Sequence, residues 1–369
     1  MLNYNLTLTT GALCLFLACK TTEKPAPATM EKTAEAPATT MPTTATTGDY
    51  LYPFISAESL KWGFLDETGS VVVEPKFQWA AMMIDGMARV KNNDLWGYVD
   101  SKGNTIVEPK YERARNFENG YGAVREAGKY GYLDRTGTMV VAPKYSKLAQ
   151  GVSEGLIAVP DENKLFGFID LKGDVVIPHK FTNAHAFSEG VAAAAEGEKW
   201  GIIDKAGNWV IAPHYVWADQ FVEGHCLVRM GTQPNVEYAL IDHGGTVKFK
   251  LQTLHVKTPS EGLILVQVGE KWGFTDYNGK MKIPANFDAA FDFHEGLAAV
   301  RIGNGWGYID ATGGLVLNVD FFVAEEFRGG LARVTWPGGK WGYVDQTGRA
   351  IWKSTLPSTP GGDAGDTES

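Results

Sequence analysis

Cysteine is scarce in this chain of 369 residues, which contains only three. Cys14 and Cys19 lie within the first nineteen residues, so the rest of the chain has Cys226 alone. No disulfide framework can therefore form inside the main body, and a domain of this size must be stabilised by its packed core. Cys226 lies in GHCLVRM, among apolar neighbours, which is typical of a buried small hydrophobic residue.

An excess of positive charge is also lacking, since the formal net charge is −9. Such a chain offers no field that attracts nucleic acid, and we do not expect it to bind nucleic acid. The composition is nevertheless that of a folded protein. With 44% hydrophobic residues and 43 glycines, the chain can bury a large core and has many places where the backbone can turn tightly.

No apolar run reaches the roughly 20 residues that a membrane-spanning helix needs. The N-terminal sequence MLNYNLTLTTGALCLFLAC has a shorter apolar stretch, Leu6 to Leu17, followed by Ala18 and Cys19. This order is typical of an export signal, predicted over residues 1–19. Its end resembles a bacterial lipobox, in which Cys19 would become the lipidated first residue. The resemblance implies an anchor at the outer membrane or cell surface of a bacterial envelope; plain secretion and an uncleaved N-terminus are the alternatives.

Two segments lack aromatic residues and hydrophobic periodicity. Residues 20–48 are rich in Thr, Ala, Pro and Glu, which predicts a disordered tether spanning roughly 30 Å on average. Residues 358–369, STPGGDAGDTES, predict a disordered tail. The folded body is therefore expected at residues 50–357.

The body is an array of repeats. Stretches similar to KWGFLDETG at residues 61–69 occur nine times, and their aromatic residues are spaced by 34 to 38 positions. The nine rings are Trp62, Trp96, Tyr130, Phe166, Trp200, Tyr238, Trp272, Trp306 and Trp341. Gly follows the ring in eight copies, and Ala239 is the exception. A fixed period of this length indicates a repeat architecture.

An Asp and a Gly recur at fixed places behind every ring. The aspartates, four positions after the ring, are Asp66, Asp100, Asp134, Asp170, Asp204, Asp242, Asp276, Asp310 and Asp345. Gly follows each of them after three positions. An Asp side chain that accepts from the backbone two residues on, with Gly at positive φ, forms a tight turn. We expect these aspartates to form turns and to bind no metal, because a calcium loop needs several oxygen ligands within about a dozen residues.

One repeat reads as three short strands and a short fourth segment, without a helical period. The strand around WG is apolar on both faces, so each sheet must be covered on two sides by neighbouring repeats. We therefore expect the nine rings to be core residues pressed between sheets.

These copies, best seen in KWGFLDETG, KWGIIDKAG, KWGFTDYNG and KWGYVDQTG, resemble the bacterial WG or KWG repeat. The likeness covers about residues 52–352. The resemblance implies a β-rich repeat protein of bacterial envelopes or secretions, and it implies no catalytic residues.

The repeats predict an all-β protein of about nine antiparallel meanders of roughly 35 residues. Propellers usually have four to eight blades of four strands. Copy one also lacks an obvious first strand, and the sequence after copy nine does not supply it. We therefore expect an open superhelical array, with a propeller-like ring as the alternative.

Catalytic motifs are absent from the sequence. There is no Gly-x-Ser-x-Gly, no His-Glu-x-x-His and no phosphate-binding glycine loop. We expect no catalytic residues, no cofactor and no metal, and we do not expect an enzyme.

Positions that vary between repeats carry more information about binding than fixed ones. Trp79 and Trp217 occupy equivalent places in copies one and five, where other copies have residues such as Arg113 or Lys147. Trp336 lies on a turn. These three are the candidate ligand-binding residues, although local packing would also explain them. The sequence thus favours a membrane-tethered binding or scaffold protein for an envelope protein or polysaccharide; a propeller-like glycan hydrolase or lyase and a structural spacer are the alternatives.

Overall fold

The structure is a computed structural model that describes residues 50–147, 151–232, 235–251 and 255–357. The predicted signal, Cys19, the tether and the tail lie outside these ranges and stay predictions. No helix within the described ranges is long and apolar enough to cross a membrane.

Nine antiparallel sheets, here called blades 1 to 9, account for the thirty-three strands of the described residues. Blade 1 has β1 Tyr52–Ile55, β2 Trp62–Leu65 and β3 Val71–Phe77; blade 2 has β4 Trp79–Ala80, β5 Met87–Asn92, β6 Leu95–Asp100 and β7 Thr105–Tyr111; blade 3 has β8 Arg113–Glu118, β9 Tyr121–Glu126, β10 Lys129–Asp134 and β11 Met139–Tyr145. Blade 4 has β12 Leu156–Pro160, β13 Phe166–Asp170 and β14 Val175–Phe181; blade 5 has β15 Asn183–Ala184, β16 Val191–Glu196, β17 Lys199–Asp204 and β18 Trp209–Tyr215; blade 6 has β19 Trp217–Val222, β20 His225–Met230, β21 Glu237–Ile241 and β22 Val247–Leu251. Blade 7 has β23 Ile264–Val268, β24 Lys271–Thr275 and β25 Met281–Phe287; blade 8 has β26 Ala289–Ala290, β27 Leu297–Ile302, β28 Gly305–Asp310 and β29 Leu315–Phe321; blade 9 has β30 Val323–Arg328, β31 Leu331–Thr335, β32 Lys340–Asp345 and β33 Ala350–Pro357.

Each four-stranded blade is a meander whose strands we call a, b, c and d in chain order. Strand c carries the WG sequence, and the Asp turn joins it to strand d. Blades 1, 4 and 7 have assigned strands b, c and d only. A meander places the a–b and c–d connections at one end, the turn face, and the b–c hairpins at the other, the hairpin face. One residue separates strand d of a blade from strand a of the next, as between Tyr111 and Arg113.

In every repeat, the side chain two positions after the WG-motif ring is more deeply buried than that ring. All nine of these residues are at most 1% exposed: Phe64, Tyr98, Tyr132, Phe168, Ile202, Leu240, Phe274, Tyr308 and Tyr343. They pack between blades, as where Tyr98 of blade 2 contacts Phe117 of blade 3 with ring centroids 4.8 Å apart. The core is therefore a series of inter-blade layers, which is why strand c is apolar on both faces.

Blades 1 and 9 meet and close the ring. Tyr52, Phe54 and Leu65 of blade 1 form one buried cluster with Leu331, Trp341 and Tyr343 of blade 9. Trp62 stacks on Trp341 at 6.0 Å. The nine-repeat all-β architecture is confirmed, and its form is the ring that the sequence suggested as the alternative to an open superhelical array.

The first strand of the ring is the residue stretch that sequence reasoning missed. Tyr52–Ile55 pairs with Trp62–Leu65 in the register of a strand b. Its sequence YPFI has none of the pattern of the other b strands, such as GLAAVRI, so copy one was wrongly thought to lack this strand. The inter-blade contacts, rather than the local pattern, give it its place.

Candidate binding surfaces

Trp79, a predicted binding residue, lies half-buried on the hairpin face of blade 2. Its ring meets Trp96 edge-on at 5.2 Å, and the Arg89 guanidinium lies 5.8 Å from its centroid. Trp79 is therefore integrated into the blade 2 packing and presents only part of its surface to solvent.

Trp217 has the equivalent place in blade 6. It packs against a buried cluster that includes Ala218 and Val228, and His185 of blade 5 lies 6.4 Å away. At least three blades lie between Trp217 and Trp79, so the structure does not bring the two together in one site.

Trp336 is half-buried on the b–c hairpin of blade 9. Its ring contacts Phe321 of blade 8 at 6.2 Å, and Lys353 Nζ lies 4.5 Å from its centroid. Of the three predicted residues, it is the one that lies among other exposed apolar side chains.

Those side chains form what we call the blade 8–9 patch on the hairpin face. Exposed members are Phe291 (42%), Ile302 (39%), Phe322 (65%) and Val323 (40%), and half-buried members are Trp306 and Trp336. Sequence reasoning found only Trp336. Comparing each position across all nine copies would have found the others, because several are apolar here and polar elsewhere.

The nine rings of the WG motif lie near the hairpin face and differ in burial. Trp96, Tyr130, Trp200 and Trp341 are buried, whereas Trp62, Phe166, Tyr238, Trp272 and Trp306 are half-buried. Several carry a cation on one face, as where the Arg333 guanidinium lies 4.6 Å from the Trp341 ring centroid. These contacts are structural cation–π pairs between strands of one blade.

The nine aspartates of the c–d turns share one geometry. In each, one carboxylate oxygen accepts from the backbone N–H groups two and four residues on, as in Asp134 with Thr136 and Thr138 at 2.9 and 3.0 Å. Gly137 takes a φ of 82° in the same turn. A side-chain hydrogen bond from Thr136 lowers the pKa of Asp134. At Asp242, hydrogen bonds from Lys248 and the Thr246 N–H lower the pKa to about 2.

Acidic residues of the a–b turns join neighbouring blades. Glu261 of blade 7 accepts from the Glu295 and Gly296 N–H groups of blade 8 at 2.7 and 2.9 Å. Glu295 in turn accepts from Gly329 and Gly330 of blade 9 at 2.6 and 2.8 Å. Asp85, Glu154, Glu189 and Glu223 make the same kind of contact with the following blade. We call these contacts the carboxylate latches.

A pocket of about 620 Å³ opens between the a–b turns. Its lining comes from equivalent positions in blades 2 to 6: Ile84, Asp85, Phe117, Glu118, Asn119, Gly151, Val152, Ser153, Ala186, Phe187, Ser188 and Gln220. Adjacent blades of a nine-fold ring are about 40° apart, so five consecutive blades can share a pocket only around the ring axis. The pocket is therefore a mouth of the central channel.

Charged residues occupy the equivalent positions in blades 8 and 9. His294 Nε2 lies 3.3 Å from Glu326 Oε2, and Arg328 donates to the same oxygen at 2.7 Å. Burial raises the pKa of Asp292, an effect that Lys257 opposes. Within the described ranges, no group of three or more His, Cys, Asp or Glu side chains could hold a metal ion.

Cys226 is buried in blade 6 and forms no disulfide with a described residue. Burial, together with the charge of Asp219, raises the pKa of its thiol to about 12. A thiol with such a pKa is protonated at neutral pH and is a poor nucleophile.

Comparison with protein families identifies the repeat. The WG containing repeat matches residues 62–96, 96–130, 130–164, 166–200, 200–231, 272–306 and 306–335. The chain belongs to the WG-repeat family. The two copies not matched begin at Tyr238, where the Gly is replaced by Ala239, and at Trp341.

Solved structures similar to this WG-repeat protein share about a tenth of its sequence. The computationally designed protein Ika8 has a TM-score of 0.46 at 10% identity and covers 73% of this chain and 96% of its own. BamB from Moraxella catarrhalis has a TM-score of 0.40 at 10% identity, over 67% and 89% of the two chains. The WD40 propeller domain of Doa1 has a TM-score of 0.34 at 11% identity, over 60% and 88%. The search of curated proteins found no match.

Proposed function

We propose that this WG-repeat protein is an extracytoplasmic binding scaffold, tethered to the bacterial envelope through Cys19, that presents a surface to a protein or an envelope glycan. The observation that carries the binding role is the group of exposed apolar side chains on the hairpin face around Trp336. Large contiguous apolar patches are uncommon on monomeric proteins and often mark interaction sites. The repeat architecture supports the same role, since its core is uniform and its surface positions are free to vary.

The anchor is tested by separating membranes from soluble material in cells that express the full chain. Wild-type protein is expected in the membrane fraction and to incorporate a labelled fatty acid. Cys19→Ser should abolish the label, with Cys14→Ser as the matched control. A labelled Cys19→Ser chain would contradict the lipid anchor.

Binding is tested by affinity capture from envelope extracts and on a glycan array. Two sets of variants separate the candidate surfaces: Trp79→Ala with Trp217→Ala, and Trp336→Ala. Each should reduce binding at least about tenfold if its rings are hot spots, with the unfolding midpoint checked for each. Binding that is unchanged in both sets would remove these tryptophans from the binding surface.

A glycan hydrolase or lyase is the second candidate, favoured by the charged side of the channel. Asp292 has a raised pKa through burial and lies beside His294, and carboxyls with raised pKa values serve as general acids. Turnover of an envelope polysaccharide that is lost in Asp292→Asn and kept in Asp320→Asn would establish this activity.

A further inference from the structure

We propose that the blade 8–9 patch docks a protein segment that carries apolar side chains next to carboxylates. This inference deepens the binding role proposed above and rests on it. The patch consists of Phe291, Ile302, Trp306, Phe322, Val323 and Trp336.

The fold does not require apolar residues at these positions. Phe322 donates its backbone N–H to the opposite strand b, and in other blades the residues that make this bond include Gln78, Glu112 and Thr182. Ile302 lies at the strand end that Asn92 and Glu126 occupy in blades 2 and 3. The same backbone positions carry polar side chains in other blades. The fold therefore does not require Phe322 and Ile302 to be apolar.

Ring contacts and strand pairing link the members of the patch, partly through the buried Phe321. Phe291 stacks on Trp306 at 5.2 Å, and Trp306 pairs with Phe321 across strands c and d. Phe321 contacts Trp336. Val323 pairs with Thr335, the neighbour of Trp336, and the Phe322 N–H donates to the Thr335 carbonyl at 2.7 Å. The surface therefore crosses the junction between blades 8 and 9.

Cations border the patch. Lys353 Nζ lies over the Trp336 ring, the Arg301 guanidinium lies 5.9 Å from the Trp306 centroid, and Lys340 is exposed on the blade 9 hairpin. Of the nearby carboxylates, Asp288 is paired with Lys271 and accepts from the Gly303 N–H. Glu325, two residues after Val323, is paired with Arg333, and Asp320 is exposed. The border is thus net positive, and charge complementarity calls for an acidic partner.

A protein segment fits this surface better than the other occupants. Ile302 and Val323 are aliphatic and offer no hydrogen bonds, whereas a glycan site needs several placed polar groups. Aromatic side chains with adjacent Arg, as here, are enriched at protein interfaces. The C-terminal residues 358–369 contain no large apolar side chain that would cover the patch.

The test uses the full chain and a displayed library of random dodecapeptides, followed by fluorescence anisotropy with the selected peptides. The patch variant is Phe322→Gln with Ile302→Asn, which introduces the residues that blade 2 has at these places. The matched control is Val175→Thr with Val176→Thr, which alters two exposed valines on the outer strand of blade 4 (55% and 47% exposed). Lys353→Glu tests the charge.

Selected peptides should combine Leu, Phe or Trp with Asp or Glu. Their Kd should rise at least about tenfold in the patch variant and in Lys353→Glu, and stay within about twofold in the control. No enrichment of such peptides, or an unchanged Kd in the patch variant, would overturn the docking site while leaving a scaffold that binds elsewhere. Self-association in analytical ultracentrifugation that disappears in the patch variant would overturn the partner, because the occupant would then be a second copy.

Discussion

The glycine that follows the WG-motif aromatic residue is explained by a close approach of strands c and d. A Cβ at Gly97 would lie 2.2 Å from the Val107 carbonyl oxygen and 2.7 Å from the Pro109 nitrogen. Strand d has a shift in register here, so its backbone lies over the glycine. In blade 6, residues 238 to 240 pair with strand d in continuous register, and Ala239 fits. In blade 6 the glycine and the register shift at its position are therefore lost together.

Gly97→Ala should therefore destabilise the protein by about 1–3 kcal/mol, because the added methyl meets backbone that cannot rotate away. The measurement is the free energy of unfolding in urea. Ala239→Gly is the matched control, and it should cost only about 0.5–1 kcal/mol through backbone entropy. Equal costs at the two sites would show that the close approach does not select the glycine.

Trp200→Ala should lower the free energy of unfolding by about 3–5 kcal/mol, since it empties the space of a ring that is 9% exposed. Trp306 is half-buried at the equivalent position, and Trp306→Ala should cost less. Calorimetry of both variants gives the comparison. A larger loss of unfolding free energy in Trp306→Ala would mean that solvent exposure does not determine how much each ring contributes to stability.

At the scale of the element, each blade is tied to the next by its turns. The latch glutamates have positive φ, between 50° and 55°, which is an uncommon conformation for a residue with a side chain. Each uses its carboxylate to accept N–H groups from the following blade. Charge-assisted hydrogen bonds of this kind are stronger than neutral ones, so the latches offset the strained backbone.

Glu261→Ala should destabilise the protein by about 1–2 kcal/mol, because it leaves the Glu295 and Gly296 N–H groups without their acceptor. Glu270→Ala on the exposed blade 7 hairpin removes the same charge and should have little effect. The free energy of unfolding of both variants, measured in urea, shows whether the hydrogen bonds of the latch or the charge alone stabilises the protein. A loss in Glu270→Ala as large as in Glu261→Ala would indicate a general charge effect.

The turn aspartates should make the stability of the protein depend on pH in the acid range. The pKa of Asp242 is about 2 in the folded protein, below the roughly 3.9 of an unfolded Asp. Its contribution is therefore complete above the unfolded value and is lost as pH falls from about 4 to 2. The free energy of unfolding, measured across this range, should fall less steeply in Asp242→Asn. An identical slope would show that Asp242 does not titrate differently on folding.

At the scale of the whole molecule, the ring closes without a strand shared between the termini. In blades 2 and 8, the strand b carbonyls of Arg89 and Ala299 accept from the N–H of the residue that follows strand a, Ala81 or Phe291. At the equivalent place in blade 1, Pro53 has no N–H, and its carbonyl accepts from Tyr343 Oη at 2.8 Å. The Pro53 carbonyl at this edge is therefore satisfied by blade 9.

Tyr343→Phe tests the closure, because it keeps the ring and removes the hydroxyl, which donates to Pro53 and also lies 3.6 Å from Met82 Sδ. Tyr98→Phe is the matched control, since Tyr98 Oη donates in the same way to the Arg115 carbonyl at 2.6 Å inside the ring. In a closed ring both variants should cost about 1–3 kcal/mol in urea unfolding. A cost for Tyr98→Phe alone would show that the seam is open in solution.

Much of the architecture follows from the sequence by itself. The period of 34 to 38 residues determined the number of sheets, and the Asp-x-x-Gly spacing determined the turns, because both depend on contacts within one repeat. The sequence did not reveal how deeply the side chain two positions after the WG-motif aromatic residue is buried. Alternation shows which face of the strand a side chain lies on, but not how deeply a neighbouring blade covers it.

Closure and the functional surfaces were decided by tertiary structure. Whether blade 1 meets blade 9 depends on the small rotation between successive blades, summed around the ring, and no local pattern reports it. The channel mouth, the latches and the blade 8–9 patch likewise join residues of different repeats. The tryptophans at 79 and 217 were proposed as binding residues from their equivalent positions, yet positions equivalent in sequence are spread around a ring, and these two lie in blades 2 and 6.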